Sequence, residues 1–216
     1  MERLKSLDPP HKGLRNILAQ FSLLAGQTAF NNLEEVTKLK SLGKDMFVLL
    51  ENHTYTEETF ILAPLKNKAA HLTAEIETDH SRLEILEKEI KEKLASFDGT
   101  QSDDDGHEFY LKFSDFQSQY LVHIAEEDRN VEINLQANFT DEELINHQIA
   151  IMQSMDFSTL LLWFKYIVPA RRIEENVQVL NGFKSSAPIE AYNTVLSTIR
   201  EVLTEERYSA IISRIN

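Results

Sequence analysis

Two short runs in this chain pair an imidazole with a carboxylate four residues further on: His53-Thr54-Tyr55-Thr56-Glu57 and His123-Ile124-Ala125-Glu126-Glu127. On a helix a spacing of four puts both side chains on one face, a turn apart. An imidazole nitrogen and a carboxylate oxygen so placed can reach the same small volume. Two such helices facing each other supply two of each, and helix-borne Glu and His are the usual means by which four-helix bundles hold two metal ions, with carboxylates able to bridge them. One such pair on its own reads as a surface hydrogen bond. Two pairs on apolar faces read differently: His53 lies between Leu49-Leu50 and Phe60-Ile61, and His123 follows Tyr120-Leu121-Val122. A buried imidazole or carboxylate needs a partner, and a shared metal ion is one.

Two further imidazoles fit this pattern. His11 stands at the start of a helical segment, on the face of Leu14, Arg15 and Leu18, and His80 in IETDHSRLEIL has Ile76 and Leu83 close to its face. One His from each of four helices, with Glu57 and Glu127 as bridges, makes a coherent site for two ions. The chain has no cysteine, so any metal is held by nitrogen and oxygen. Six donors exceed the closed tetrahedron of structural zinc. Two ions of higher coordination number, such as a pair of non-haem irons, fit better than zinc, and manganese stays open.

Other candidates read as ordinary. His71 and Glu75 imitate the motif but lie more than two turns before His80, too far along the axis to share its site, so surface pairing is expected. His107 and His147 are expected in solvent. Glu58 and Glu126 adjoin ligand candidates, either orienting imidazoles or meeting water. Tyr55 and Tyr120 line the site or pack as core, and Trp163, Met152 and Met155 read as packing residues.

The elements that must position these groups are helical throughout. Apolar residues recur at three- and four-residue spacing from Pro9-Pro10 to about Gly26, over 33–62 with a break at Pro64, over 66–97, and over 108–136. Between the last two, DGTQSDDDGHE reads as a loop; it lacks the ligand spacing of a calcium loop. Thr140 and Glu143 form a capping box that opens a tail of shorter helices, about 141–154, 157–168, 171–182, 188–202 and 204–215. The expected architecture is all-α: an up-and-down antiparallel four-helix bundle over 1–137, with a short-helix extension over 138–216 packed on or beside it.

Composition agrees. With 216 residues, 42% hydrophobic, and only six Gly and five Pro, the chain can bury a substantial helical core. A net charge of −13 without a basic cluster argues against nucleic acid. No apolar run is long enough for a membrane span, and the polar start lacks a signal-peptide core, so a soluble cytoplasmic protein is expected.

The whole order, a His early in helix one, HxxxE in helix two, His in helix three and HxxxE in helix four, resembles the hemerythrin (HHE cation-binding) family. ENHTYTEE and YLVHIAEED are similar to its second- and fourth-helix signatures, close to the variants of an iron-sensing F-box ubiquitin ligase and of bacterial hemerythrin-like proteins. The resemblance implies an oxo- or hydroxo-bridged iron pair, with His11, His53 and His123 on one iron, His80 on the other, and Glu57 and Glu127 bridging. Oxygen-carrying members use five His; here Glu84 stands where a second His would follow His80, which leaves room for an oxygen ligand from Glu84, Glu77 or Glu58. Harder anionic ligands favour ferric iron, so easily reversible oxygen carriage is not expected. Implied is an iron-binding protein that binds or senses oxygen, nitric oxide or peroxide. The alternatives are a diiron oxidoreductase of peroxide or nitric oxide, or an iron-responsive interaction protein docking through its tail. Enzyme status and any protein partner stay open.

Overall fold

Pro9 and Pro10 fall in the first turn of α1 (Asp8–Gln27), where a missing N–H costs no helix hydrogen bond. Asn32 caps α2 (Leu33–Glu57) by accepting from the backbone N–H groups of Glu34 and Glu35. The sequence predicts a break at Pro64, but the chain stays helical through it by widening. Glu58–Leu62 forms a π turn, in which the Ala63 N–H donates to the Glu58 carbonyl, and α3 (Ala63–Lys66) follows. Pro64 has no N–H to give the preceding turn, and the wider winding absorbs that loss directly after Glu57. The next long helix, α4 (Ala70–Ser96), starts later than expected.

The computed structural model describes residues 3–215, and among these no strand occurs. One correction concerns the acidic run read as a loop. Most of it is the start of α5 (Asp103–Asn138), capped by Ser102, whose side chain accepts from the Asp105 N–H while the Asp105 carboxylate accepts from the Ser102 N–H. Asp103, Asp104 and Asp105 thereby sit at the positive end of the helix dipole. The turn before it needs Gly99, at φ +87° and with the Leu33 backbone 2.6 Å from where a Cβ would be.

The long helices α1, α2, α4 and α5 pack in a ring, each against the next and α5 back onto α1. Their short connections make this an up-and-down antiparallel bundle. Its interior is two apolar clusters. One holds Leu14, Phe21, Leu50, Leu83, Phe113 and Tyr120; the other holds Leu7, Ile61, Ile76, Val131 and Leu135. Fully buried side chains such as Phe21 and Phe113 contribute on the order of 2–3 kcal/mol each.

The tail comprises α6 (Asp141–Ser154), opened by the expected Thr140–Glu143 capping box, α7 (Phe157–Ala170), α8 (Ile173–Ser186), α9 (Ile189–Val202) and α10 (Glu205–Ile212). Its helices fall within a few residues of their expected bounds. α7 lies along α1 so closely that a Cβ on Gly13 would come within 2.8 Å of the Ile167 side chain. Polar contacts fix it: Asn16 Nδ2 donates to the Tyr166 carbonyl at 2.9 Å, and Trp163 Nε1 to Asn52 Oδ1 at 2.8 Å. Beyond α7 a third cluster, around Val168, Leu180, Val195 and Ile199, holds the remaining helices. Among the described residues no helix is long and apolar enough to cross a membrane.

Candidate metal centre

Each bundle helix carries its chemical residues at the same level. On α1, His11 falls between Leu7 and Leu14; on α2, His53 and Glu57 fall between Leu50 and Ile61; on α4, His80 falls between Ile76 and Leu83; on α5, His123 and Glu127 fall between Tyr120 and Val131. One flanking residue of each helix belongs to one apolar cluster and the second to the other. The six polar side chains form a single layer between two dry cores, none more than 3% exposed.

Within that layer the two carboxylates stand among the four imidazoles. Glu127 Oε1 lies 2.9 Å from His123 Nε2 and 3.3 Å from His80 Nε2, and Glu127 Oε2 lies 3.4 Å from His11 Nε2. Glu57 Oε2 lies 3.3 Å from His53 Nε2 and 3.5 Å from His80 Nε2. The rings meet edge to face in pairs, His11 with His53 at 5.0 Å and His80 with His123 at 4.8 Å. His11, His53, Glu57 and Glu127 converge as one potential cation cage, and His80, His123 and Glu127 as a second. The structure therefore sets His123 beside His80, because α4 and α5 are packed neighbours, and not with His11 and His53 as the resemblance implies.

Both oxygens of Glu57, both oxygens of Glu127 and all four Nε2 atoms are buried without a hydrogen-bond partner. A buried unpaired polar atom costs roughly 1–3 kcal/mol, more when charged, so this many in one layer demand a ligand. They are nitrogen and carboxylate donors, the set that iron, manganese and zinc accept. The residues fit a metal.

Two of the outer nitrogens are held from behind, while His123 Nδ1 is buried without a hydrogen-bond partner. His11 Nδ1 lies 2.7 Å from Asp128 Oδ1, and Asp128 Oδ2 accepts from Arg15 Nη2 at 2.8 Å. His80 Nδ1 lies 3.0 Å from Glu58 Oε1. Carboxylate contacts of this kind fix the tautomer and aim Nε2 at an ion. Glu58 thus takes one of the two roles expected of it, while Glu126 is exposed. Asp128 is missing from the sequence reading; Arg15, a turn beyond His11, was the available signal that an acidic partner stood nearby. Glu77 pairs with Lys66 at 2.8 Å and Glu84 is exposed, so neither joins the layer.

Electrostatics follow from burial and crowding. For His53, burial and then the nearby His11 hold the imidazole well below its ordinary value. Burial pulls His80 down as well, but Glu127 and Glu57 overcome it and push His80 up to about 11. His11 is raised in the same way, burial being outweighed by Asp128, Glu127 and Glu57. Burial and the charge of Glu127 raise Glu57, whereas Glu127, despite burial, is held well below the carboxylate range by His123 and His80. Without metal, burial and crowding thus leave a proton on His80 and keep His53 neutral, while Glu127 stays ionised.

The remaining candidates lie elsewhere. His71 and His107 are exposed. His147, expected in solvent, is instead half-buried with its ring 5.0 Å from Phe139. Tyr55 is 56% exposed, while Tyr120 is buried with its hydroxyl unpartnered. A cavity of about 200 Å³ reaches His53 and Glu57, and its apolar walls include Met152, Met155, Leu160 and Trp163 from α6, α7 and the turn between them. Residues read from the sequence as packing groups thus wall an approach to the layer.

The family described as hemerythrin HHE cation binding domain matches residues 3–132. Neither a curated protein nor a solved structure gives a significant match.

Proposed function

Because the chain belongs to the hemerythrin HHE cation-binding family, we propose that its polar layer holds two non-haem iron ions and offers them to a small exogenous ligand: oxygen, nitric oxide or peroxide. The observation that carries this reading is the set of unpartnered buried carboxylate oxygens and imidazole nitrogens, all directed into one layer. His11 and His53 would hold one ion and His80 and His123 the other, with Glu57 and Glu127 shared between them. So held, iron supplies redox chemistry and an exchangeable coordination position that the side chains alone lack.

The protein residues do the rest. Asp128 and Glu58 orient His11 and His80 from their outer nitrogens. The two apolar clusters exclude water from the layer above and below, which strengthens every charge interaction inside it. The cavity beside His53 and Glu57 is lined mainly by apolar groups and suits an uncharged small molecule. With four imidazoles instead of the five of the oxygen carriers and the same two carboxylates, the layer would leave one more coordination position for an exogenous ligand.

Metal analysis of protein from an iron-supplied culture, with its absorption spectrum, tests the reading. Two irons per chain and the near-ultraviolet absorption of a coupled ferric pair are expected. His53→Ala and Glu127→Ala should lose iron while His147→Ala keeps it; equal occupancy in all three would refute the ligand assignment. Stoichiometric uptake of nitric oxide without peroxide turnover marks a binding protein, and sustained peroxide consumption marks an oxidoreductase.

A further inference from the structure

On the outer side of α2, where it packs beside α4, four glutamates face one surface pocket: Glu51 and Glu58 from α2 and the π turn, and Glu84 and Glu87 from α4. The pocket has a volume of about 440 Å³, and Lys88 and Lys91 also stand in its wall. Lys91 pairs with Glu51, and Lys88 lies 3.9 Å from Glu92. Glu58, Glu84 and Glu87 are left without a lysine. Glu87 is the unusual member. It is only 7% exposed, yet among the described residues it makes no hydrogen bond or ion pair. A carboxyl largely withdrawn from water and given no partner is costly, and the pocket it lines is the place where a partner can reach it.

The pocket also touches the metal layer. Glu58, in its wall, has Oε1 at 3.0 Å from His80 Nδ1, so a single side chain separates the pocket from a proposed iron ligand. The apolar cavity approaches the layer along a different face of α2, through His53, Thr56 and Glu57. A hydrated cation entering there would have to shed water against apolar walls, whereas carboxylates replace that water as it is lost. The two approaches suit two different visitors.

We propose that the Glu58–Glu84–Glu87 pocket is a second, weaker cation site, where a hard divalent metal ion is captured before it passes by way of Glu58 to His80 and the buried layer. The inference rests on the iron reading of that layer. All-oxygen donors suit ferrous iron, manganese or magnesium, and the two lysines in the wall keep the ion loosely bound, as a transfer site requires. Burial, with the charges of Glu51 and Glu84, pushes Glu87 up to about 8, so at neutral pH capture displaces a proton from it.

Two measurements test this on the full chain. In the first, iron-loaded protein is titrated with Mn²⁺ while the electron paramagnetic resonance signal of free Mn²⁺ is followed. Uptake of one further Mn²⁺ per chain is expected, and its loss in the Glu84→Gln, Glu87→Gln double variant. In the second, metal-free protein is given limiting ferrous iron under nitrogen, and bound iron is measured over time. The double variant should load about tenfold more slowly and reach the wild-type end point. Circular dichroism of the double variant checks that it folds, and amide replacement keeps shape while removing charge. No Mn²⁺ uptake by the loaded wild type, or unchanged loading in the double variant, overturns the proposal. A wild-type chain that takes up no iron at all overturns the reading of the buried layer and the transfer with it, a result distinguishable by its end point from failure of the pocket alone.

Discussion

The outer nitrogen of His11 lies 2.7 Å from the carboxylate of Asp128, the residue that follows Glu127 on α5. One turn of α5 thus presents a carboxylate to the interior of the layer and, at the next residue, another to the back of an imidazole on α1. Burial works to raise the Asp128 carboxyl, but His11 and Arg15 hold it below the ordinary range, so it stays an acceptor. Replacing it, Asp128→Asn, should weaken iron binding roughly 10- to 100-fold, as loss of such partners commonly does. Competition with a coloured chelator measures this, and an unchanged affinity would remove His11 from the ligand set.

Loading should release protons. In the metal-free layer His80 is pushed up to about 11 and Glu57 to about 7, so at pH 7 His80 holds a proton and Glu57 holds one about half of the time, and an ion must displace both. Filling the layer at pH 7 is expected to liberate at least one proton per chain, and affinity should fall as pH is lowered. Calorimetric titration in buffers of different ionisation enthalpy gives the number; a value near zero would contradict the assigned ligands.

Removing the metal should loosen the bundle. The orphaned atoms of the layer lose their partner, and ligand linkage gives about 4 kcal/mol when free metal stands a thousandfold above its dissociation constant. For a chain of this size that corresponds to a drop of about 10 °C in melting temperature. Thermal unfolding of chelator-treated and iron-loaded protein measures it.

Glu87 carries a separate pH signature. Its folded value of about 8 lies above the ordinary 4.5, through burial and then Glu51. A carboxyl raised on folding contributes stability that is complete below about pH 4.5 and is lost as pH rises through 8. In metal-free buffer, wild type should therefore lose about 2 kcal/mol relative to Glu87→Gln between pH 6 and 9. Urea unfolding of the two proteins at both pH values is the measurement, and parallel pH profiles would contradict it.

The apolar cavity makes a kinetic prediction. Met155 lies in its wall and is not one of the six side chains of the polar layer. Met155→Trp should fill part of the 200 Å³ and slow nitric oxide binding to iron-loaded protein at least tenfold. Iron content should not change. Stopped-flow mixing reads the rate, and an unaltered rate would mean that the ligand enters elsewhere.

Several features were legible from residue order because they live within one helix. The spacing of His53 to Glu57 and of His123 to Glu127 becomes shared direction wherever the backbone winds at 3.6 residues per turn. The apolar residues flanking each pair show that this direction is inward. The Ser102–Asp105 capping box was also local and readable, yet the acidity and the glycines of that run masked it. The π turn after Glu57 was not, since Pro64 allows either a break or a widened helix and the packing of Ile61, Leu62 and Leu65 selects the second.

Residue order alone determined that this chain is helical and that four imidazoles and two carboxylates sit on apolar faces with no sulfur donor among them. Tertiary structure decided which groups meet: His80 with His123, Asp128 behind His11, Glu58 between His80 and an acidic pocket, and α6 and α7 as the wall of a cavity. The physical reason is one of range. Backbone hydrogen bonds fix the distance between residues four apart, whereas the distance between residues a hundred apart is set by how whole faces of different helices pack, and that is a property of all their side chains together.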